Sequence, residues 1–135
     1  MRDIKFRGKG VDNGKWEYGS HAVASGCYDL ILKNGFSFGF DYNGISNDDW
    51  CEVFPETVGE FTGLKDKDGK GKEMFEGDIF KDWLGQLSVI VWKEFRWAFE
   101  TINEPSFKYR ANFHNIGEVI GNKYDNIELL ERGGN

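Results

Sequence analysis

Apolar and polar positions in this chain mostly alternate with period two, and Gly, Asn and Asp interrupt the alternation at short intervals. Ile4 and Phe6 alternate with Lys5 and Arg7, and Asp12-Asn13-Gly14 then leads into Trp16 and Tyr18. Both central residues of a tight hairpin turn need positive φ, which Asn-Gly tolerates, so a first β-hairpin is predicted here. A second Asn-Gly, Asn34-Gly35, separates Tyr28–Leu32 from Phe36–Phe40 and predicts a second hairpin.

The polar run Asp41–Trp50 reads as a loop. It divides an N-terminal hairpin lobe, residues 1–50, from a second part, residues 51–135, with one continuous unit as the alternative. Cys51–Phe54 reads as a short strand halted by Pro55, Thr57–Thr62 as another, and Asp66–Lys72 as a charged surface loop. A meander follows: strands Asp78–Trp83, Leu87–Trp92 and Phe95–Glu100, joined by Leu84-Gly85-Gln86 and by Lys93-Glu94. Phe95, Trp97 and Phe99 are expected to share one face, with Arg96 and Glu100 on the other. Val89–Trp92 is apolar on both faces and predicts a central strand. Thr101–Asn115 is polar and irregular, and Pro105 argues against a ladder position. Ile116–Ile120 predicts a last strand, Tyr124–Leu130 a helical turn, and Gly133-Gly134-Asn135 a frayed end. No helix longer than two turns can be written, and many short punctuated strands indicate a mainly β fold, a sandwich or a small barrel.

Composition alters this picture in two ways. The chain has 135 residues, with 12 Phe, 5 Trp and 5 Tyr against few aliphatic residues, so the core of its domain is expected to be largely aromatic. At ~150–250 Å² per buried ring, that suffices for folding without a metal or a disulfide. Net charge is −6, and no basic run exceeds two residues, which disfavours phosphate-backbone binding and suits solubility. Cys27 and Cys51 are the only cysteines. No cationic-then-apolar leader and no run near the ~20 apolar residues of a membrane span is present, so the expectation is a cytoplasmic protein with free thiols and no membrane partner. A single disulfide in an exported protein is the alternative.

Candidate chemistry fails on spacing. Asp66-Lys67-Asp68-Gly69-Lys70-Gly71 begins like a calcium loop, but Lys70 stands where an oxygen ligand is required and Gly77 where a bidentate Glu belongs. The same glycines do not follow phosphate-loop order, and Glu73 replaces the hydroxyl that would hold magnesium. His21, Cys27, Cys51 and His114 have no zinc-site spacing. No Gly-x-Ser-x-Gly elbow occurs. The carboxylate pairs Glu73/Glu76 and Asp48/Asp49 are ordinary in a chain with 23 acidic residues. Glu76-Gly77-Asp78-Ile79 is the most specific local feature: a Gly turn, then an Asp able to accept N–H bonds from backbone amides just downstream at a strand entry, an opening frequent in small SH3-type barrels. No catalytic residue, metal ligand or cofactor is assigned.

Five segments in order resemble the YopX family of phage and prophage proteins: Met1–Lys9, Asp12–Ser20, Pro55–Asp66, Phe75–Ile79 and Ile116–Tyr124. Within them and the adjoining loop, Gly59, Phe61, Gly63, Leu64, Asp66, Gly69, Glu76, Gly77 and Asp78 are the motif positions, read as structural. Gly71-Lys72 looks like a two-residue insertion against the family pattern, and Ile127 stands where Pro is common; both fall in predicted turns. The resemblance implies an SH3-type β-barrel in the C-terminal part and a variable middle; the two N-terminal hairpins are expected to pack on that barrel or extend its sheet. It also implies phage or prophage origin, and it carries no established activity.

The functional expectation is a non-enzymatic accessory protein that binds a protein partner or a second copy of itself, because Trp16, Trp50, Trp83, Trp92, Trp97 and the Phe residues exceed what a small β-domain must hide. A nucleic-acid module that stacks bases on aromatics beside Lys5/Arg7 is the second reading, and a small carboxylate hydrolase the third.

Overall fold

A computed structural model of the chain describes residues 4–24, 28–32, 50–102, 109–110 and 113–132. Two compact units emerge, Met1–Phe61 and Thr62–Asn135. Eleven strands are present among the described residues, all in antiparallel pairs where the register is defined.

In the first unit β1 (Phe6–Lys9) pairs with β2 (Trp16–Ala24), Lys9 lying opposite Trp16. The first hairpin therefore forms, but its connection is wider than the two-residue turn that Asn13-Gly14 suggests. The Gly10 amide donates to the Lys15 carbonyl at 2.8 Å and Gly14 back to Gly10 at 3.0 Å. Asn13 acts through its side chain, whose Oδ1 accepts the Lys15 N–H at 2.9 Å, so this Asn closes an Asx-type turn. β2 continues well past Tyr18 and pairs with β3 (Tyr28–Leu32), which pairs in turn with β4 (Trp50–Glu52). Leu30, Ile31 and Leu32 are at most 1% exposed, the signature of a strand covered on both faces. The expected return strand Phe36–Phe40 lies outside the described residues, as do Cys27, Asp48, Asp49 and Pro105.

A single bridge, Gly10 to Val53, brings the chain leaving β4 back beside the end of β1. Pro55–Thr57 then forms one 3-10 turn where a strand start was expected, since Pro fixes φ and offers no ladder N–H. The Thr57 hydroxyl donates to the Phe54 carbonyl at 2.6 Å and accepts the Lys9 N–H at 2.9 Å, so this turn stops β1 and restarts the chain as β5 (Gly59–Lys65). β5 pairs with β1 at Phe6/Glu60 and Arg7/Gly59 and continues into the second unit, where β6 (Glu73–Phe75) lies beside it.

The second unit contains a five-stranded sheet in the order β10-β9-β8-β7-β11. Its meander, β7 (Asp78–Asp82), β8 (Leu87–Lys93) and β9 (Arg96–Thr101), follows the sequence pattern within a residue or two, and β8 is central as its two apolar faces predicted. β10 (Tyr109–Arg110) and β11 (Gly117–Asn122) are its edges. Period-two alternation divides the core between the two faces. Phe80, Ile90 and Phe99 face one way and join Met74, with Trp97, Phe113 and Val119 packed against them. Ile79, Val89 and Ile102 face the other way, under Leu129 and Leu130 of the C-terminal helix Ile127–Arg132.

One expectation needs correction. No closed barrel exists among the described residues, because the sheet ends at β10 and β11, so the SH3-type closure is not confirmed. Among the described residues Phe61, Phe75, Phe80 and Phe99 are the aromatic members of the buried core, and the others are aliphatic or Met74; Phe36, Phe38, Phe40 and Phe107, on which the expectation of an aromatic core also rests, lie outside the described residues.

Candidate functional site

Among the motif residues, Asp66 forms a structural tie. Asp66 follows β5 directly, is 1% exposed, and spends both carboxylate oxygens on backbone amides. Oδ1 accepts the Lys72 N–H at 2.6 Å, which holds the loop before β6, and Oδ2 accepts the Val119 N–H at 2.7 Å, on the outer side of edge strand β11. The main chain reinforces the tie, with Asp66 donating to the Lys72 carbonyl at 2.8 Å and Asp68 to the Asn115 carbonyl at 2.9 Å. Between them the single turn Asp66–Gly69 carries left-handed φ values of 53° at Lys67, 56° at Asp68 and 88° at Gly69. Asp66 thus belongs to the interior rather than to the charged surface loop predicted for it, while Lys67, Asp68 and Gly69 are exposed.

Asp78 is a backbone acceptor, but for the Phe75 amide upstream of the Glu76-Gly77 turn rather than for amides downstream of it. It is 2% exposed and its Oδ2 accepts the Phe75 N–H at 2.8 Å, while Gly77 turns the chain with φ of 92° and Glu76 is half-buried. Phe61 and Gly59 are buried, Gly63 sits at φ of 92°, and Leu64 is 37% exposed. Sequence reading missed Asp82 and Asn122, which close neighbouring turns in the same way: Asp82 Oδ1 accepts the Leu84 and Gln86 amides, and Asn122 Oδ1 accepts those of Tyr124 and Asp125. Their signal was local, an Asp or Asn two residues before an exposed turn.

The proposed basic cluster is engaged by the protein's own rings. Arg7 is only 6% exposed with its guanidinium 4.6 Å from the Trp16 ring centre, and the Lys5 ammonium lies 5.4 Å from that of Phe61. His21 and Cys51 lie in register on β2 and β4 with Ile31 between them, and His21 contacts Phe6 and Asp29 rather than the cysteine. No group of three or more His, Cys, Asp or Glu side chains is placed to hold a metal ion among the described residues. No helix there is long and apolar enough to cross a membrane.

Exposed apolar side chains occupy both ends of the β7–β8–β9 meander. At one end β8 and β9 are joined by Glu94-Phe95 alone, with Lys93 opposite Arg96 and Trp92 opposite Trp97. Phe95 therefore sits in the turn, not on the strand face with Trp97 and Phe99 that alternation predicted. Glu94 and Phe95 both have positive φ, 53° and 65°. Phe95 is 93% exposed and Trp92 46%, and the Trp92 and Trp97 rings meet edge to face at 5.0 Å. The buried Trp97 Nε1 has no hydrogen-bond partner among the described residues. At the other end Trp83 and Leu84 are 65% and 76% exposed. Trp83 stands beside His114 with ring centres 5.4 Å apart, and the His114 Nδ1 accepts the N–H of Ile116, itself 53% exposed.

Comparison with known proteins supports the fold and the family. No curated protein matches the chain. A solved structure, the crystal structure of protein EF1440 from Enterococcus faecalis, is similar with a TM-score of 0.57 at 23% identity, covering 96% of this chain and 99% of that one. The YopX protein family model matches residues 5–131, nearly the whole length, and the chain therefore belongs to the YopX family.

Proposed function

We propose that the protein is a non-enzymatic, cytoplasmic accessory protein of phage or prophage origin, and that it acts by binding another protein through the aromatic tip of the β8–β9 hairpin. What carries this reading is Phe95, a bulky residue held at a φ of 65° with its ring 93% exposed. A two-residue turn with both φ values positive is the natural place for Asn-Gly. A side chain with a Cβ costs roughly 1–2 kcal/mol there, and an exposed ring recovers none of that by burial. A residue that opposes the stability of its own chain, and contributes nothing to the core, is best accounted for by a contact made outside the chain. Aromatic anchors of this kind dominate protein interfaces.

Replacing Glu94-Phe95 with Asn-Gly separates the two effects. The variant E94N/F95G is expected to melt several degrees higher, corresponding to about 1–2 kcal/mol, and to lose the proteins that the wild-type chain retains from a host-cell lysate. Identical retention by both baits would exclude the tip as the contact.

A further inference from the structure

The β8–β9 tip is fixed both at its turn and at its base. Glu94 and Phe95 have φ of 53° and 65°, both positive, the twist that closes a two-residue hairpin without splaying its strands. Lys93 and Arg96 flank this turn, and the next pair along the ladder is Trp92 opposite Trp97. In a two-residue hairpin the flanking pair is hydrogen-bonded and the following pair is not, which brings the Cα atoms of the latter to about 4.5 Å and its side chains into contact. The Trp92 and Trp97 rings accordingly meet edge to face, with centres 5.0 Å apart and planes at 75°. Trp97 is the anchored member, packed against the cluster of Met74, Phe80, Ile90 and Phe99. Its buried Nε1 has no hydrogen-bond partner among the described residues, so packing orients the ring. Trp92 leans on it from outside and stays 46% exposed.

Resting on the reading of the tip as a protein contact, we infer that Trp92 is the second anchor of that contact, and that the partner is a folded protein with a preformed apolar pocket. Phe95 enters the pocket, and the exposed part of the Trp92 ring lies against its wall. Rigidity supports this assignment. A ring already braced by a neighbouring indole has little rotamer freedom left to lose on binding, so more of its burial appears as affinity. Shape selects the class of partner. Extended peptides are taken up in grooves or along sheet edges, whereas the exposed rings here sit at a convex turn. A protruding ring is buried by a concavity on the other protein, and Trp ranks among the commonest anchors of such contacts. Charge does not select the partner, because Lys93, Glu94 and Arg96 place both signs around the rings and Arg96 lies 3.9 Å from Glu94. The contact is therefore held by apolar burial, which salt does not screen.

Two measurements on the full chain test the inference. The first needs no partner: two indoles held edge to face give an exciton couplet in far-ultraviolet circular dichroism. That couplet is expected in the wild type and in E94N/F95G and lost in Trp92→Leu, which keeps an apolar side chain at a half-exposed position and so leaves the sheet folded. A spectrum unchanged by Trp92→Leu overturns the braced tip. In the second, the wild type, Trp92→Leu and E94N/F95G each serve as bait for a native host-cell lysate and for the same lysate digested with trypsin. The proteins that E94N/F95G fails to retain are expected to fall roughly tenfold or more on Trp92→Leu. They are expected to stay bound to the wild type at about 1 M salt, and to have no counterpart in the digested lysate. Undiminished retention by Trp92→Leu, release by salt, or capture of tryptic peptides each overturns the inference and leaves the tip itself standing as the contact. Equal retention by the wild type and E94N/F95G, or none by the wild type, removes both.

Discussion

Replacing Asp66 with Ala is expected to lower the stability of the protein by about 2–5 kcal/mol, measured as the shift of the urea midpoint at unchanged slope. The carboxylate is 1% exposed and each oxygen accepts a backbone N–H, from Lys72 at 2.6 Å and from Val119 at 2.7 Å. Water reaches neither bond well, so truncation leaves two partly buried donors without acceptors at roughly 1–3 kcal/mol each. That is a large share of the ~5–15 kcal/mol that holds a domain of this size together. Asp66→Asn recovers at most one bond, because its amide group must then face the other N–H donor to donor, and it should fall between wild type and Ala. A second effect follows from where Val119 lies. Its N–H points outward from edge strand β11, and Asp66 occupies the position that an invading strand would need. Light scattering on partly denatured Asp66→Ala is therefore expected to rise above wild type. An Asp66→Ala midpoint within about 0.5 kcal/mol of wild type would mean that the tie is dispensable.

Gly117→Ala is the second large loss, about 2–4 kcal/mol. A methyl group at this position in β11 would run into the Lys81 carbonyl of the paired strand and lie 2.8 Å from the Phe80 ring. Neither neighbour can yield. The carbonyl belongs to the ladder backbone, and Phe80 is 1% exposed and stacked on Phe99 at a ring-centre distance of 5.1 Å. Gly85→Ala supplies the control, since that glycine has a φ of 83° but nothing within 4 Å of an added methyl. It carries the backbone strain without the collision and should cost about 1 kcal/mol. Equal losses in thermal melts of the two variants would show that backbone conformation, not close approach, makes Gly117 necessary.

The two glycines look alike in sequence, each within a residue or two of a polar turn, and only the cross-strand neighbour separates them. The same holds for the acidic residues. Asp78 was legible as a local backbone acceptor but not in its partner, because the amide it binds, Phe75, lies three residues upstream rather than downstream. Asp66 was not, because the Val119 amide it binds lies 53 residues further along the chain. The candidate contact site was legible as an excess of aromatics and not as a place. Alternation put Phe95 on a strand face with Trp97 and Phe99, but pairing Lys93 with Arg96 moved it one step into the turn, where its ring points away from the core.

By itself the sequence determined the β class, the meander and most turn positions, because side-chain alternation and the φ preferences of Gly, Asn and Asp act over a few residues. Family membership was likewise carried by short motifs in a constant order. Only the tertiary structure decided that Arg7 lies buried against Trp16, that Asp66 ties two distant segments together, that no barrel closes among the described residues, and that Phe95 and Trp83 mark opposite ends of one meander. Those outcomes depend on strand register and on contacts between residues far apart in the chain, and a one-residue change of register alters every such neighbour without altering the local pattern.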